Sequence, residues 1–266
     1  MLAEVAPDDG RVLAGGQSLV PIMAFRLARP AHLVDINGVA ALNKIAATGD
    51  RLTVGACVRH AAFERPVVAG PLGGLLATVV GHIAHHPIRT RGTFCGSLAH
   101  ADPASEWCAV AATLDAEIVL RSLRGTRTIA AKDFFAAIMT TARADDELLT
   151  EVQLPILPAD MRAGFCEFSR RPGDFALGMA VVTYRLKDGV IAAARVGVGG
   201  AEAHARRITQ AEQVLNGARP QPEVFRAAAE AAAAAVDPLE DFNTNAEYRR
   251  DLVRTMTQRA LERAAA

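Results

Sequence analysis

The stretch Val12-Leu13-Ala14-Gly15-Gly16-Gln17-Ser18-Leu19 decides the reading of this 266-residue chain. Apolar residues run into adjacent glycines, and Ser18 to Leu27 then looks helical, so the segment reads as a strand, a tight turn and a helix. Adjacent glycines let successive backbone N–H groups converge on one point with no Cβ in the way, and Ser18 stands where a serine caps the following helix. Such a turn suits a phosphate group. Taken alone, a Gly-Gly pair is more often just a tight connection.

A second glycine-bearing segment shifts that balance. Arg89-Thr90-Arg91-Gly92-Thr93-Phe94-Cys95-Gly96-Ser97-Leu98 reads as a loop offering two cations, two glycines and small hydroxyl side chains. It runs through Ala101-Asp102-Pro103-Ala104-Ser105 into a helix predicted over Glu106 to Asp115, with Ser105 or Asp102 as N-cap and Pro103 near the first turn. Two such loops could grip one pyrophosphate from both sides.

Leu13 to Pro30 (LAGGQSLVPIMAFRLARP) and Ile88 to Pro103 (IRTRGTFCGSLAHADP) resemble the FAD-binding medium subunit of the molybdenum hydroxylases, the group of aerobic carbon monoxide dehydrogenase and xanthine dehydrogenase. The strand-like Glu147 to Pro155 and the pattern Ser169-Arg170-Arg171-Pro172-Gly173-Asp174-Phe175-Ala176 follow in the family's order, so the likeness covers nearly the whole chain. The resemblance implies a two-lobed flavin domain of the p-cresol methylhydroxylase type over residues 1–155, and a smaller C-terminal domain of antiparallel sheet and helices over 156–266. It implies FAD on this chain. Two iron–sulfur clusters on a small subunit and a molybdenum cofactor on a large one would be supplied by partners, in a dimer of heterotrimers.

Carried over position by position, Ala14, Gly15, Gly16, Gln17 and Ser18 would hold the pyrophosphate, with Thr93, Phe94, Cys95, Gly96 and Ser97 as the second contact. His100 and Glu106 fall where relatives contact the flavin or its ribose, and Leu149 where an apolar side chain packs on the isoalloxazine ring. The family role assigns no general acid or base, and catalytic chemistry belongs to the cofactor. Three departures stand out. Cys95-Gly96-Ser97 replaces the common Gly-Gly-Asn, and Glu106 stands where Asp is common. Relatives also carry a strand and helix ahead of the point where this chain begins, implying a misassigned start or an absent piece.

Composition narrows the alternatives. Lys plus Arg and Asp plus Glu both number 29, leaving no net charge to draw the chain to nucleic acid or an anionic membrane. No segment has the length and apolarity of a membrane span, and no basic-then-apolar leader opens the chain, which predicts a cytoplasmic protein. Cys57, Cys95, Cys108 and Cys166 lie far apart, so an iron–sulfur cluster on this chain is not expected. Length favours two domains, with a boundary at Pro155 to Pro158.

The rest of the pattern is α+β. Strands are predicted at 12–14, 33–36, 52–54, 117–121 and 148–154, and helices at 18–27 and 71–84. Beyond the boundary, β-rich runs at 164–169, 177–186 and 190–198 include a hairpin at Lys187-Asp188-Gly189, and helices are predicted over 208–215, 222–236 and 246–265. Val196 to Glu202 imitates a dinucleotide fingerprint, but Glu202 holds the third glycine position, so it reads as a strand end. His82, His85 and His86 have the spacing of one helix face, without an obvious further ligand, and read as a polar helix end. Asp145-Asp146-Glu147 reads as a solvated turn, and no serine sits in a nucleophile elbow. A self-contained flavin reductase or oxidase, or a scaffold that has lost FAD, are the competing functions.

Overall fold

Residues 1–242 and 244–266 are described by the computed structural model, which has the α+β architecture expected from the sequence. A small first lobe comprises α1 (Leu2–Val5), β1 (Arg11–Leu13), α2 (Leu19–Ala24) and β2 (Leu33–Asp35), with β1 and β2 paired in parallel. The helix after the glycine turn is shorter than expected, and Ser18 sits at its N-cap without a side-chain capping bond. Within residues 1–44 only Gly10, Gly15 and Ile36 are buried. This lobe therefore has almost no core of its own.

The second lobe is built on an antiparallel sheet. Its elements are β3 (Ile45–Thr48), β4 (Arg51–Gly55), α3 (Pro71–Val80), α4 (His86–Arg89), α5 (Phe94–His100), α6 (Glu106–Thr113), β5 (Glu117–Ser122), β6 (Gly125–Ala130), α7 (Ala131–Phe134), β7 (Phe135–Ala137), β8 (Thr140–Thr141) and β9 (Leu148–Pro155). Five strands pair in the order β3-β4-β9-β5-β6, and β7 and β8 form a separate ribbon. Composition made 89–98 look like a loop, but most of it is helical: Thr93 accepts a hydrogen bond from Gly96 N (3.0 Å) and starts α5 as a side-chain N-cap.

The histidines do not share one helix. α3 ends at Val80, His82 lies in the turn beyond it, and His86 opens α4, where its Nδ1 pairs with Glu64 at 3.1 Å. Among the described residues no group of three or more His, Cys, Asp or Glu could hold a metal ion. The acidic turn is also not wholly solvated. Glu147 is buried and takes both Nε (2.7 Å) and Nη2 (2.8 Å) of Arg127, with Ala144 N donating to it as well.

Beyond β9, a four-stranded antiparallel sheet of β10 (Met161–Phe168), β11 (Gly178–Lys187), β12 (Val190–Gly199) and β13 (Arg206–Arg207) is followed by α8 (Thr209–Leu215), α9 (Pro222–Ala235) and α10 (Ala246–Ala265). Asp188 (φ 52°) and Gly189 (φ 77°) make the expected hairpin turn between β11 and β12. The sheet is buried on both faces, which explains its continuous apolar runs. Met179 and Val181 join the core of the second lobe, whereas Ala180, Val182 and Tyr184 face a separate core with α9 and α10. α6 lies between the two sheets with every residue buried. It sits so close to β12 that a Cβ on Gly197 would fall 1.8 Å from Thr113 Oγ1.

Candidate functional site

Backbone contact, more than side-chain contact, creates the cleft between the lobes. A Cβ on Gly15 would fall 2.4 Å from the Arg91 carbonyl oxygen and 2.7 Å from Gly92 Cα, so the two glycine segments touch main chain to main chain. Gly16 is left-handed (φ 74°) and turns the chain into α2. Arg59 ties the lobes together by donating from Nη2 to Asn37 Oδ1 (2.6 Å) and from Nη1 to the Arg91 carbonyl. Asn37 Nδ2 then donates to the Ala14 carbonyl at 2.8 Å, holding the first turn in place.

The resulting cleft has a volume of about 460 Å³, within the range of roughly 300–1,000 Å³ usual for small-molecule sites. Ala14, Gly15, Gly16, Gln17, Ser18, Thr93, Cys95, Gly96, Ser97, His100 and Leu149 all line it. Segments far apart in sequence thus meet at one wall. Phe94 and Glu106 do not line it. Phe94 is fully buried and stacks on Trp107 at 4.5 Å, and its N–H is taken by the Val58 carbonyl at 3.1 Å. Glu106 is buried at the start of α6, where burial, reinforced by the Asp102 charge, raises its pKa above the usual carboxylate range.

Whether the cleft suits a dinucleotide turns on its unused donors. The amides of Gly15, Gly16, Gln17 and Ser18 find no acceptor among the described residues, although backbone N–H groups next to packed structure are seldom left without one. Arg11 and Arg143 add positive charge to the same cleft. Four successive amides with guanidinium groups nearby form a cradle for a doubly charged pyrophosphate, so the residues present fit FAD.

Several cleft groups escaped the sequence reading. Arg143 donates to the Ala144 (3.0 Å) and Glu147 (2.9 Å) carbonyls, and burial lowers its pKa. His60 lies in the wall beside Gly92, and nothing in the spacing of its neighbours marks it. Cys95 points away from any ligand chemistry: its Sγ contacts the Val54 carbonyl at 3.4 Å, and burial holds the thiol protonated. His100 is half-buried, and desolvation lowers its pKa despite the opposing influence of Asp102.

Fold and cleft together define an FAD-binding flavoprotein with a two-lobed flavin region and a C-terminal sheet-and-helix region. The family model for the FAD binding domain in molybdopterin dehydrogenase matches residues 1–157, and that for the CO dehydrogenase flavoprotein C-terminal domain matches 163–264. The chain belongs to this family, as a medium, FAD-binding subunit of the molybdenum hydroxylases. It is 40% identical to the nicotine 6-hydroxylase medium subunit of Paenarthrobacter nicotinovorans over 97% of this chain and 91% of that one. To the carbon monoxide dehydrogenase medium chain of Hydrogenophaga pseudoflava it is 32% identical, over 96% and 89%. Among solved structures, quinoline 2-oxidoreductase from Pseudomonas putida 86 superposes with a TM-score of 0.93 at 36% identity, covering 99% of this chain and 92% of that one.

Proposed function

We propose that this chain holds FAD across the seam of the two lobes, receives electrons there from iron–sulfur clusters of a small partner subunit, and passes them to an external acceptor. The observation that carries the reading is the run of unpaired amides from Gly15 to Ser18 facing the start of α5. In this arrangement Ala14 to Ser18 grip the pyrophosphate, and Thr93, Cys95, Gly96 and Ser97 close the opposite side. His100 and Leu149 flank the remaining cofactor. Phe94 and Glu106 act from behind the wall, Phe94 by fixing Trp107 and Glu106 by starting α6.

Bound FAD supplies the two-electron to one-electron exchange, and this chain's residues orient it and shape its access. Of the two carboxylates that line the cleft, Glu147 is committed to Arg127, and Asp145 is exposed. The likeness to medium subunits over nearly the whole chain supports the electron-transfer role over a self-contained flavin reductase or oxidase. Val20, Phe25 and Leu27 are exposed beside the cleft-lining Leu19, Ile22 and Ala28, an apolar rim suited to the small subunit. The complex is a cytoplasmic dimer of heterotrimers with a large molybdenum subunit, and in this chain the flavin and C-terminal domains divide between Pro155 and Pro158. No helix among the described residues is long and apolar enough to cross a membrane.

Purification from the native host, with iron and molybdenum measured per flavin, tests the assignment. Co-purifying iron–sulfur and molybdenum subunits with one FAD per copy of this chain are expected. Substrate turnover by the isolated chain without metal would instead establish the self-contained enzyme, and a colourless chain that cannot be reconstituted would establish a scaffold.

A further inference from the structure

Trp107 is fully buried, with Phe94 stacked on one side at 4.5 Å and Phe63 tilted against it at 5.2 Å. Its indole can only donate, and Nε1 meets His60 Nδ1 at 2.9 Å. That nitrogen must therefore carry a lone pair, which places the single ring proton of a neutral His60 on Nε2. Neutrality follows from burial, which together with the charges of Arg89 and Arg59 pushes the pKa down to about 4.

The proton so placed has no acceptor among the described residues. Nε2 lies beside Gly92, where a Cβ would approach it to 2.6 Å, and Gly92 is the residue against which Gly15 packs. His60 itself lines the cleft, and its backbone N–H is spent on the Gly92 carbonyl at 3.0 Å. A rigid donor thus ends at the meeting point of the two glycine segments.

We propose that His60, locked as its Nε2–H tautomer by Trp107, donates a hydrogen bond to a pyrophosphate oxygen of the bound FAD. The inference rests on the FAD reading above and adds a neutral side-chain donor to the backbone cradle. Because the imidazole is uncharged, its contribution does not depend on protonation near neutral pH.

The test uses the full chain labelled with 15N-histidine, assigned through the signal lost in His60→Gln. The free chain should show a protonated Nε2 and an unprotonated Nδ1 that stay unchanged from about pH 5.5 to 8. FAD or ADP should shift the Nε2–H signal, whereas riboflavin, which has no phosphate, should not. His60→Gln keeps a donor near the Nε2 position and should hold FAD within a few-fold of wild type. His60→Asn keeps an acceptor for Trp107 but loses that donor, and should bind FAD about tenfold or more weakly. A purely structural partner of Trp107 would give the reverse order. Tight FAD binding with an unmoved His60 signal, or a shift with riboflavin and none with ADP, would overturn this inference alone. Failure of the chain to bind FAD at all would overturn the functional reading with it.

Discussion

Gly15→Ala is the sharpest probe of how the cleft is made. The new methyl would sit 2.4 Å from the Arg91 carbonyl oxygen, against the 3.4 Å at which ordinary contact begins. Both neighbours are main chain, so no rotamer relieves the clash and the lobes must part by about 1 Å. Overpacking of this kind costs about 1–3 kcal/mol. The thinly packed first lobe can absorb it by shifting, so the cost should fall on FAD affinity, a loss of about fivefold to about a hundredfold. Gly16→Ala is the matched comparison. Its methyl would meet only Val20 Cγ2 (3.2 Å) and Leu13 Cδ1 (3.3 Å), both movable, and the left-handed backbone adds about 1 kcal/mol. Flavin fluorescence titration of each apo-variant, with far-ultraviolet circular dichroism to confirm the fold, should rank Gly15→Ala as the weaker binder. Wild-type affinity in Gly15→Ala, or the opposite ranking, would show that the two glycine segments do not form the seam.

Arg59→Ala should weaken FAD binding several-fold while leaving the dichroism intact. Arg59→Lys should not restore it, because a point charge cannot serve Asn37 and the Arg91 carbonyl together; rescue by lysine would mean that charge alone matters. Burial, and secondarily the nearby Glu106 charge, holds the Glu167 carboxyl well above the usual range. Its folded pKa therefore exceeds the unfolded value near 4.5, and its contribution to stability is full below that value and declines as pH rises. Urea midpoints measured from about pH 5 to 9 should fall less steeply for Glu167→Gln than for wild type, and parallel curves would refute this assignment. Gly197→Ala, whose methyl would fall 1.8 Å from Thr113 Oγ1, should lower stability by about 1–3 kcal/mol. Calorimetry should show that loss with FAD affinity preserved below the transition, since the contact lies between α6 and β12 and away from the cleft.

Much of this molecule is legible where the determining interactions are local. Asp188-Gly189 supplies its own left-handed turn, and the β-branched and apolar runs flanking it have nowhere to go but a hairpin. The alanine-rich α9 follows from propensity, and Ala228, Ala229, Ala232 and Ala233 are buried because small side chains let the helix pack closely. α5 was hidden by the same logic. Two small residues and a glycine lower the helical signal of 94–100, and what starts the helix is one hydroxyl, on Thr93, answering the Gly96 amide. Asp145-Asp146-Glu147 departs from a solvated turn for a different reason: buried Glu147 is paired with Arg127, which reaches it from β6, two strands from β9 in the sheet. Nothing near Glu147 in sequence announces that partner.

The glycines of the first turn have two separable duties, and only one of them concerns a ligand. Gly16 uses a backbone conformation that other residues adopt at a cost, whereas Gly15 uses the absence of a side chain to admit another stretch of main chain. Because Gly92 must in turn admit the His60 ring, the order of contacts across the seam is turn, turn, imidazole, indole, each resting on the next. A cleft assembled this way spends its rigidity on placing donors. Its buried histidine is neutral, its buried carboxylate is paired and its buried thiol is protonated. That allocation suits a protein whose task is to hold a redox cofactor in place for electron transfer.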